Sequence, residues 1–306
     1  MKLSAVIEGY WLDKKLRFSK ATIQGYAWVF RLLTDYLGDM EFEAITANDI
    51  RRFLAHQATD RNLSRRSIHD IRARLSSLWS WAEQELGAPH IIRGRVQTPR
   101  YTEKKIEPFT QEEVKQLLKG INYSQEWETA TGKITQSQRP TADRDRAIVL
   151  TLLDSGVRAS ELCALTLRDY DRKRGRLYIR HGKGDKERFA VVGNRTQKAI
   201  WRYLAGRTDT QLGAPLFSTK TGQHMDRNNL RHTLKGIGKR SGVHNVHPHK
   251  FRHTFAINFL RNGGNVFLLK ELLGHESLEM VMHYARIAEQ DLDAGQKHSP
   301  ADNWKL

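Results

Sequence analysis

Arg158, Lys183, His249, Arg252, His275 and Tyr284 are the residues of this chain whose types and order could do chemistry together. Two arginines, a lysine and two histidines could hold and activate one phosphodiester, and a tyrosine could attack it. A phosphodiester resists attack because its anion repels nucleophiles, and reaction builds more negative charge on its non-bridging oxygens. Arginine answers both problems. Its planar fork binds two oxygens and stays charged at any relevant pH. Preorganised positive charge of this kind is usually the largest catalytic contribution. His249 and Arg252 stand at i and i+3, so one helix would present both to the same point. His275 follows Gly274, which reads as a helix C-cap, so its side chain would project from a turn. Histidine suits general acid–base work near neutral pH. Lys183 lies in a Gly182-Lys183-Gly184 turn, from which it could reach a minor groove and give a proton to a leaving oxygen. Tyr284 stands nine residues after His275. Its phenol ordinarily titrates at about 10, and nearby cations would lower that. Attack by tyrosine would store the broken bond as a phosphotyrosine, so that rejoining needs no nucleotide.

Taken singly, each residue has a plainer reading. A lone tyrosine on a helix is usually core or surface, Gly-Lys-Gly is a turn, and Arg and His are common in a basic protein. His244, His247, His249 and His253 cluster in sequence and suggest zinc. Yet no cysteine lies near them and no HExxH pattern exists, so no metal and no other cofactor is expected. Gly182-Lys183-Gly184 also lacks Walker A spacing.

The 306 residues carry a net charge of +17, which points to a polyanionic partner, nucleic acid first. Residues 1–104 hold 17 Lys plus Arg against 12 Asp plus Glu, so +12 of the +17 falls downstream, beside the candidate chemistry. The one cysteine, Cys163, excludes an intrachain disulfide and, between Leu162 and Ala164, reads as core filler. No run of about 18 apolar residues exists to span a membrane, and no signal-peptide pattern opens the chain. A cytoplasmic, nucleoid-associated protein is expected.

The elements that must position these residues are mostly helical. Residues 1–90 read as an all-α domain. Ser19 caps a helix ending at Gly38, with Ile23, Tyr26, Ala27, Phe30, Leu33 and Leu37 on one face. Thr46-x-x-Asp49 is a capping box, and Ser64 caps a third helix through about Leu86. That third helix carries Arg65, His69, Arg72 and Ser76 on its polar face, a stripe that could track phosphates or simply be solvated. Residues 91–108, with Arg93, Arg95, Pro99, Arg100, Lys104 and Lys105, read as an extended basic linker. A basic linker between two basic domains suits a clamp around a duplex.

A second domain over 109–294 opens at the Thr110-x-x-Glu113 capping box. It reads as mainly α with a small antiparallel β-sheet. Asn122–Thr141 is a polar surface loop, and a helix from Asp143 ends at Gly156. Leu177-Tyr178-Ile179 and Phe189-Ala190-Val191-Val192 form two hairpin strands. Helices follow from Asp226 to Gly242, Pro248 to Asn262, Val266 to Leu273 and Leu278 to about Asp291. Arg227, Arg231 and Lys235 line one face of the first and are the candidate groove contacts, together with Arg65, Arg72, Arg100 and Lys104. Residues 295–306 form a polar tail containing Trp304.

Four ordered segments resemble the tyrosine recombinases, also called phage integrases. Gly156-Val157-Arg158-Ala159-Ser160-Glu161-Leu162 is similar to the family's first arginine box, and Gly182-Lys183-Gly184-Asp185-Lys186-Glu187-Arg188 to its lysine hairpin. His247-Pro248-His249-Lys250-Phe251-Arg252-His253-Thr254-Phe255-Ala256 is similar to the second box, and Leu272-Leu273-Gly274-His275 through Tyr284 to the third. The resemblance covers roughly residues 105–290, and more loosely the N-terminal helices, and suggests a simple Xer-like or mobile-element member. It implies a core-binding N-terminal domain of SAM-like type and a clamp on double-stranded DNA bearing specific sites. It implies attack by Tyr284 to give a 3′-phosphotyrosine, with Arg158, Arg252 and His275 stabilising the transition state. His249 would then be acid or base, and Lys183 would protonate the leaving oxygen. It implies a homo-tetramer on DNA, monomeric or dimeric before synapsis, a Holliday junction, and a C-terminal segment docking on a neighbour. Tyr284-Ala285-Arg286 departs from the common Tyr-x-His ending, and Phe251 stands where Leu is common. Two other readings remain open from the residues: type IB topoisomerase-like relaxation, and a DNA-binding accessory protein without catalysis.

Overall fold

The computed structural model describes residues 1–102, 106–125, 127–129, 131–180, 187–275 and 277–288. Lys104, Lys183 and the tail over 295–306 lie outside the described residues. The chain divides into two units, Met1–Lys104 and Lys105–Leu306.

The first unit is four helices: α1 (Leu3–Lys14), α2 (Lys20–Leu37), α3 (Ala47–Thr59) and α4 (Arg65–Leu86). Their starts are written in the sequence. The Ser19 and Ser64 hydroxyls accept from the amides of Thr22 and Ser67, and Thr46 and Asp49 form a reciprocal capping box. Such caps satisfy orphan helix donors and are each worth about 1 kcal/mol. The apolar faces meet in a core of Leu3, Tyr10, Phe30, Phe53, Ile71, Leu75 and Trp79. The segment anticipated as a linker from residue 91 differs. Ile91, Ile92 and Val96 are buried in this core. Arg72 on α4 donates from Nε to the Val96 carbonyl at 3.2 Å, and the Arg93 amide donates to His90 Nδ1 at 2.9 Å. Three aliphatic side chains among the arginines were enough to pull this stretch onto the helices.

The second unit begins with α5 (Gln111–Gly120), opened by the Thr110–Glu113 capping box. The stretch anticipated as a loop contains a short hairpin, β1 (Trp127–Glu128) paired antiparallel with β2 (Ile134–Thr135). Then come α6 (Ala142–Ser155), α7 (Ala159–Ala164), β3 (Tyr170–Asp171), β4 (Arg176–Ile179) and β5 (Arg188–Val191). The last three make an antiparallel sheet in sequence order. Leu177 faces Ala190 across it, both buried, while Phe189 and Val191 point outward. The remaining helices are α8 (Asn194–Ala205), α9 (Arg227–Ser241), α10 (Pro248–Arg261), α11 (Val266–Leu273) and α12 (Glu279–Ala288). The unit is thus mainly helical with a small antiparallel sheet. Its main core gathers Ile148, Leu152, Leu162, Leu177, Ile200, Phe217, Leu234 and Phe251, with Cys163 at its edge. A smaller core of Ala256, Ile257, Leu269, Leu273, Val281 and Tyr284 joins α10, α11 and α12.

Two glycines shape the turns that matter. Gly156 ends α6 at φ +59° and Gly274 ends α11 at φ +64°, a left-handed region that side-chain-bearing residues enter at a cost. At Gly156 there is no room either, because a Cβ would lie 2.4 Å from Phe255 Cδ1 and 2.9 Å from Leu273 Cδ2. Gly156→Ala is expected to destabilise the second unit by about 1–3 kcal/mol. A thermal melt beside the unchanged chain checks this; an equal or higher midpoint would contradict it.

Candidate active site

The turn at Gly156 leads directly to Arg158, the N-cap residue of α7. One turn later Glu161 points back. Its Oε2 accepts from the Arg158 amide at 2.7 Å, and its Oε1 accepts from Arg158 Nη1 at 2.7 Å. Arg188, at the start of β5, grips the same carboxylate with Nη1 at 2.9 Å and Nη2 at 2.7 Å. Glu161 is 4% exposed. Burial pushes its pKa up, but the Arg188 fork and the Arg158 bonds outweigh it, and the carboxyl is held below the ordinary glutamate range.

The end of α11 is the second anchor. Its last carbonyls have no partner within the helix and carry the negative end of the helix dipole. Arg188 Nε donates to Leu272 O at 2.9 Å, Arg252 Nη2 to Leu273 O at 2.8 Å, and Arg158 Nη2 to Gly274 O at 2.8 Å. Three guanidiniums from three distant segments therefore take three successive carbonyls. The other arm of Arg252 donates to Gly156 O at 2.8 Å, at the end of α6. Arg252 is 4% exposed, and burial with neighbouring Arg158 lowers its pKa to about 10. It still carries its charge at neutral pH.

The histidines and the tyrosine surround this hub. His249 opens α10 one turn before Arg252 and lies on the surface. Loss of hydration on its inner side, then Arg252 and Arg158, depress its pKa below the usual histidine value. His275 follows Gly274 directly and is buried, its amide donating to Lys270 O at 3.1 Å. Its ring lies 6.3 Å from the Tyr284 ring, centroid to centroid, at 30°. Tyr284 on α12 is 4% exposed, and its hydroxyl lies 2.9 Å from His253 Nδ1. The expectation of a lowered phenol pKa is reversed. Burial raises it, and Arg252 and Arg158 only partly oppose that.

Five of the six sequence-selected residues with candidate chemistry thus gather around this hub in the second unit; Lys183 lies outside the described residues. Sequence reasoning gave no role to Arg188, Glu161 or His253. All three stood inside the recognised segments, and only their partners were hidden. Along α9, Arg227, Arg231 and Lys235 are exposed as a stripe. Arg227 and Arg231 line a 670 Å³ cleft with Asp226, His247 and His249, so the stripe reaches the site. In the first unit Arg65 and Arg100 are exposed, whereas Arg72 is half-buried and bonded to the 92–96 turn. Among the described residues no group of three His, Cys, Asp or Glu side chains is arranged to hold a metal.

Residues 107–291 match the family model described as "Phage integrase family", and residues 7–86 match "Phage integrase, N-terminal SAM-like domain". The chain belongs to the phage integrase family. Tyrosine recombinase XerA of Thermococcus kodakarensis is 30% identical over 280 residues, covering 91% of this chain and 89% of that protein. Tyrosine recombinase XerC of Oceanobacillus iheyensis is 31% identical over 304 residues, covering 93% and 92%. The fold is also that of the Tn1549 transposon integrase in complex with circular intermediate DNA, with a TM-score of 0.75 at 18% identity over 93% of this chain and 95% of that one. As a member of the phage integrase family, of Xer type, the chain is an enzyme of site-specific recombination that binds, cuts and rejoins DNA. Topoisomerase-like relaxation and a non-catalytic accessory role are not favoured.

The buried carboxylate gives a stability test. Because Glu161 titrates below its unfolded value, it stabilises the fold above about pH 4.3, and that contribution is lost as pH falls through the folded pKa. Glu161→Gln is expected to cost about 3–5 kcal/mol at neutral pH and to flatten the acid limb of the stability curve. Denaturant unfolding across pH 3–7 measures both; parallel curves would contradict the assignment.

Proposed function

We propose that Tyr284 attacks the scissile phosphate, forming a 3′-phosphotyrosine and releasing a 5′-hydroxyl. In this reading Arg158 and Arg252 hold the two non-bridging oxygens, and His275 adds a further donor as charge builds there. His249 exchanges protons at the reacting phosphate, and Lys183 protonates the leaving 5′-oxygen. The hydroxyl of a partner duplex then reverses the step, and two rounds pass through a Holliday junction. The observation that supports this best is the fastening of both arginines beside His275 at the end of α11, with Tyr284 packed against the same helix. Fixed guanidiniums cost no reorganisation when charge develops, which is what transition-state stabilisation requires.

The high phenol pKa suits a protein not yet on DNA. A neutral buried tyrosine avoids the desolvation penalty of a phenolate. The assignment extends to the chain's other surfaces. The α9 stripe and cleft carry the duplex to the site, and Arg65 and Arg100 give the first unit its phosphate contacts. We assign residues 1–90 to core-site binding and 109–294 to catalysis, with the joining segment shortened by its buried start. The XerH site-specific recombinase bound to palindromic difH substrate has this fold, with a TM-score of 0.69 at 20% identity over 90% of this chain and 79% of that one. The partner in this reading is a double-stranded site, and, as the family resemblance implies, the assembly is a homo-tetramer built on DNA in the cytoplasm.

The test uses a nicked duplex bearing a site recovered from randomised DNA by binding to this chain. The unaltered chain is expected to become covalently linked to it, and Tyr284→Phe to bind equally well without linkage. Cleavage by Tyr284→Phe would overturn the nucleophile. Arg231→Ala is expected to weaken binding and lower the slope of log affinity against log salt by about one; an unchanged slope would remove α9 from the DNA path.

A further inference from the structure

His253 has no part in the mechanism above, yet it makes the one hydrogen bond that the described side chains give the Tyr284 hydroxyl. It sits on α10 directly after Arg252 and one turn from His249. Its Nδ1 lies 2.9 Å from Tyr284 Oη, with the two rings 5.6 Å apart and tilted by 52°. A neutral phenol can donate or accept, and in the tautomer that carries the ring hydrogen on Nε2 it is Nδ1 that accepts from Tyr284 Oη.

We propose that His253 is a positioning residue for the nucleophile: by accepting the hydroxyl hydrogen of Tyr284 at Nδ1, it fixes the phenol oxygen and turns its lone pairs away from α10 toward the incoming phosphate. This rests on Tyr284 being the nucleophile. The surroundings support the role. A protonated imidazole would donate instead of accept, and would occupy a lone pair of the phenol oxygen that attack requires. Here burial, then His249, His247 and Arg252, push the His253 pKa down to about 4, so the ring stays neutral. The phenol keeps its proton for the same reason of burial. A neutral acceptor facing a neutral donor holds the oxygen without ionising either group. The oxygen's remaining neighbours by charge are Arg252 and Arg158, the pair that would hold the phosphate. Near-attack alignment of this kind governs rate strongly, because small misplacements of a reacting atom are costly.

The amide oxygen of asparagine can stand where Nδ1 stands, whereas phenylalanine keeps the ring and removes the acceptor. On the nicked duplex, at saturating DNA, His253→Phe is expected to slow single-turnover cleavage on the order of 10–100-fold with binding unchanged. His253→Asn is expected to restore most of the rate. A purely structural role predicts the reverse order, with Phe tolerated and Asn not, and that result would overturn the proposal. A second measurement needs no variant: nitrogen NMR of the unaltered chain should find His253 neutral with its proton on Nε2, and a proton on Nδ1 would overturn it equally. If Tyr284→Phe still cleaves, the underlying reading fails. If only Tyr284→Phe is dead and His253→Phe cleaves normally, this inference alone fails.

Discussion

Three guanidiniums fastened to one helix end are the constraint on which the site depends. Arg188, Arg252 and Arg158 take the carbonyls of Leu272, Leu273 and Gly274 in turn. Like charges would repel at this spacing, so the arrangement needs something negative among them. The dipole end of α11 supplies part of it, and the Glu161 carboxylate, bonded to two of the three arginines, supplies the rest. The excess positive charge is then left for a phosphate. Neither partner would be stable in this position alone. A buried carboxylate without the arginines would be neutralised, and buried arginines without carbonyls and carboxylate would not stay folded inward.

The same helix end joins chemistry to architecture. Leu269 and Leu273 bury α11 against α10 and α12, which carry Arg252 and Tyr284. Gly274 then turns the chain into His275 through a left-handed conformation. Packing, charge fixation and placement of the tyrosine are therefore settled by one short element. Beside it, Gly156 ends α6, its carbonyl holding Arg252 and its turn delivering Arg158. The first unit, by contrast, owes its form to ordinary amphipathic packing and three side-chain caps.

Much of this was legible in the sequence. Helix starts at Ser19, Thr46, Ser64, Thr110 and Asp226 carry local signals, and each side chain bonds an amide three residues on. The recombinase segments named five residues that the fold brings together. What stayed hidden is non-local. Arg188 meets Glu161 across 27 residues, His253 meets Tyr284 across 31, and Arg158 meets Gly274 across 116. Strands β1 to β3 are two residues long, too short for an alternation to register. The start of the linker was set too early because arginines dominated the composition of 91–108 while Ile91, Ile92 and Val96 decided the packing of its first residues. The sign of the tyrosine shift was missed because spacing reveals nearby cations but not the depth of burial that competes with them.

The shared helix end also reduces the number of ways the site can be wrong. An arginine has four side-chain torsions, and three arginines left to themselves would sample a very large set of arrangements. Bound to the carbonyls of Leu272 and Leu273 in the last turn and of Gly274 in the left-handed turn that closes it, they take their spacing from the backbone. Positional accuracy is thus borrowed from backbone geometry, which is far stiffer than any long side chain. Once the last turn of α11 has formed, the charge pattern of the site is a matter of register and not of search.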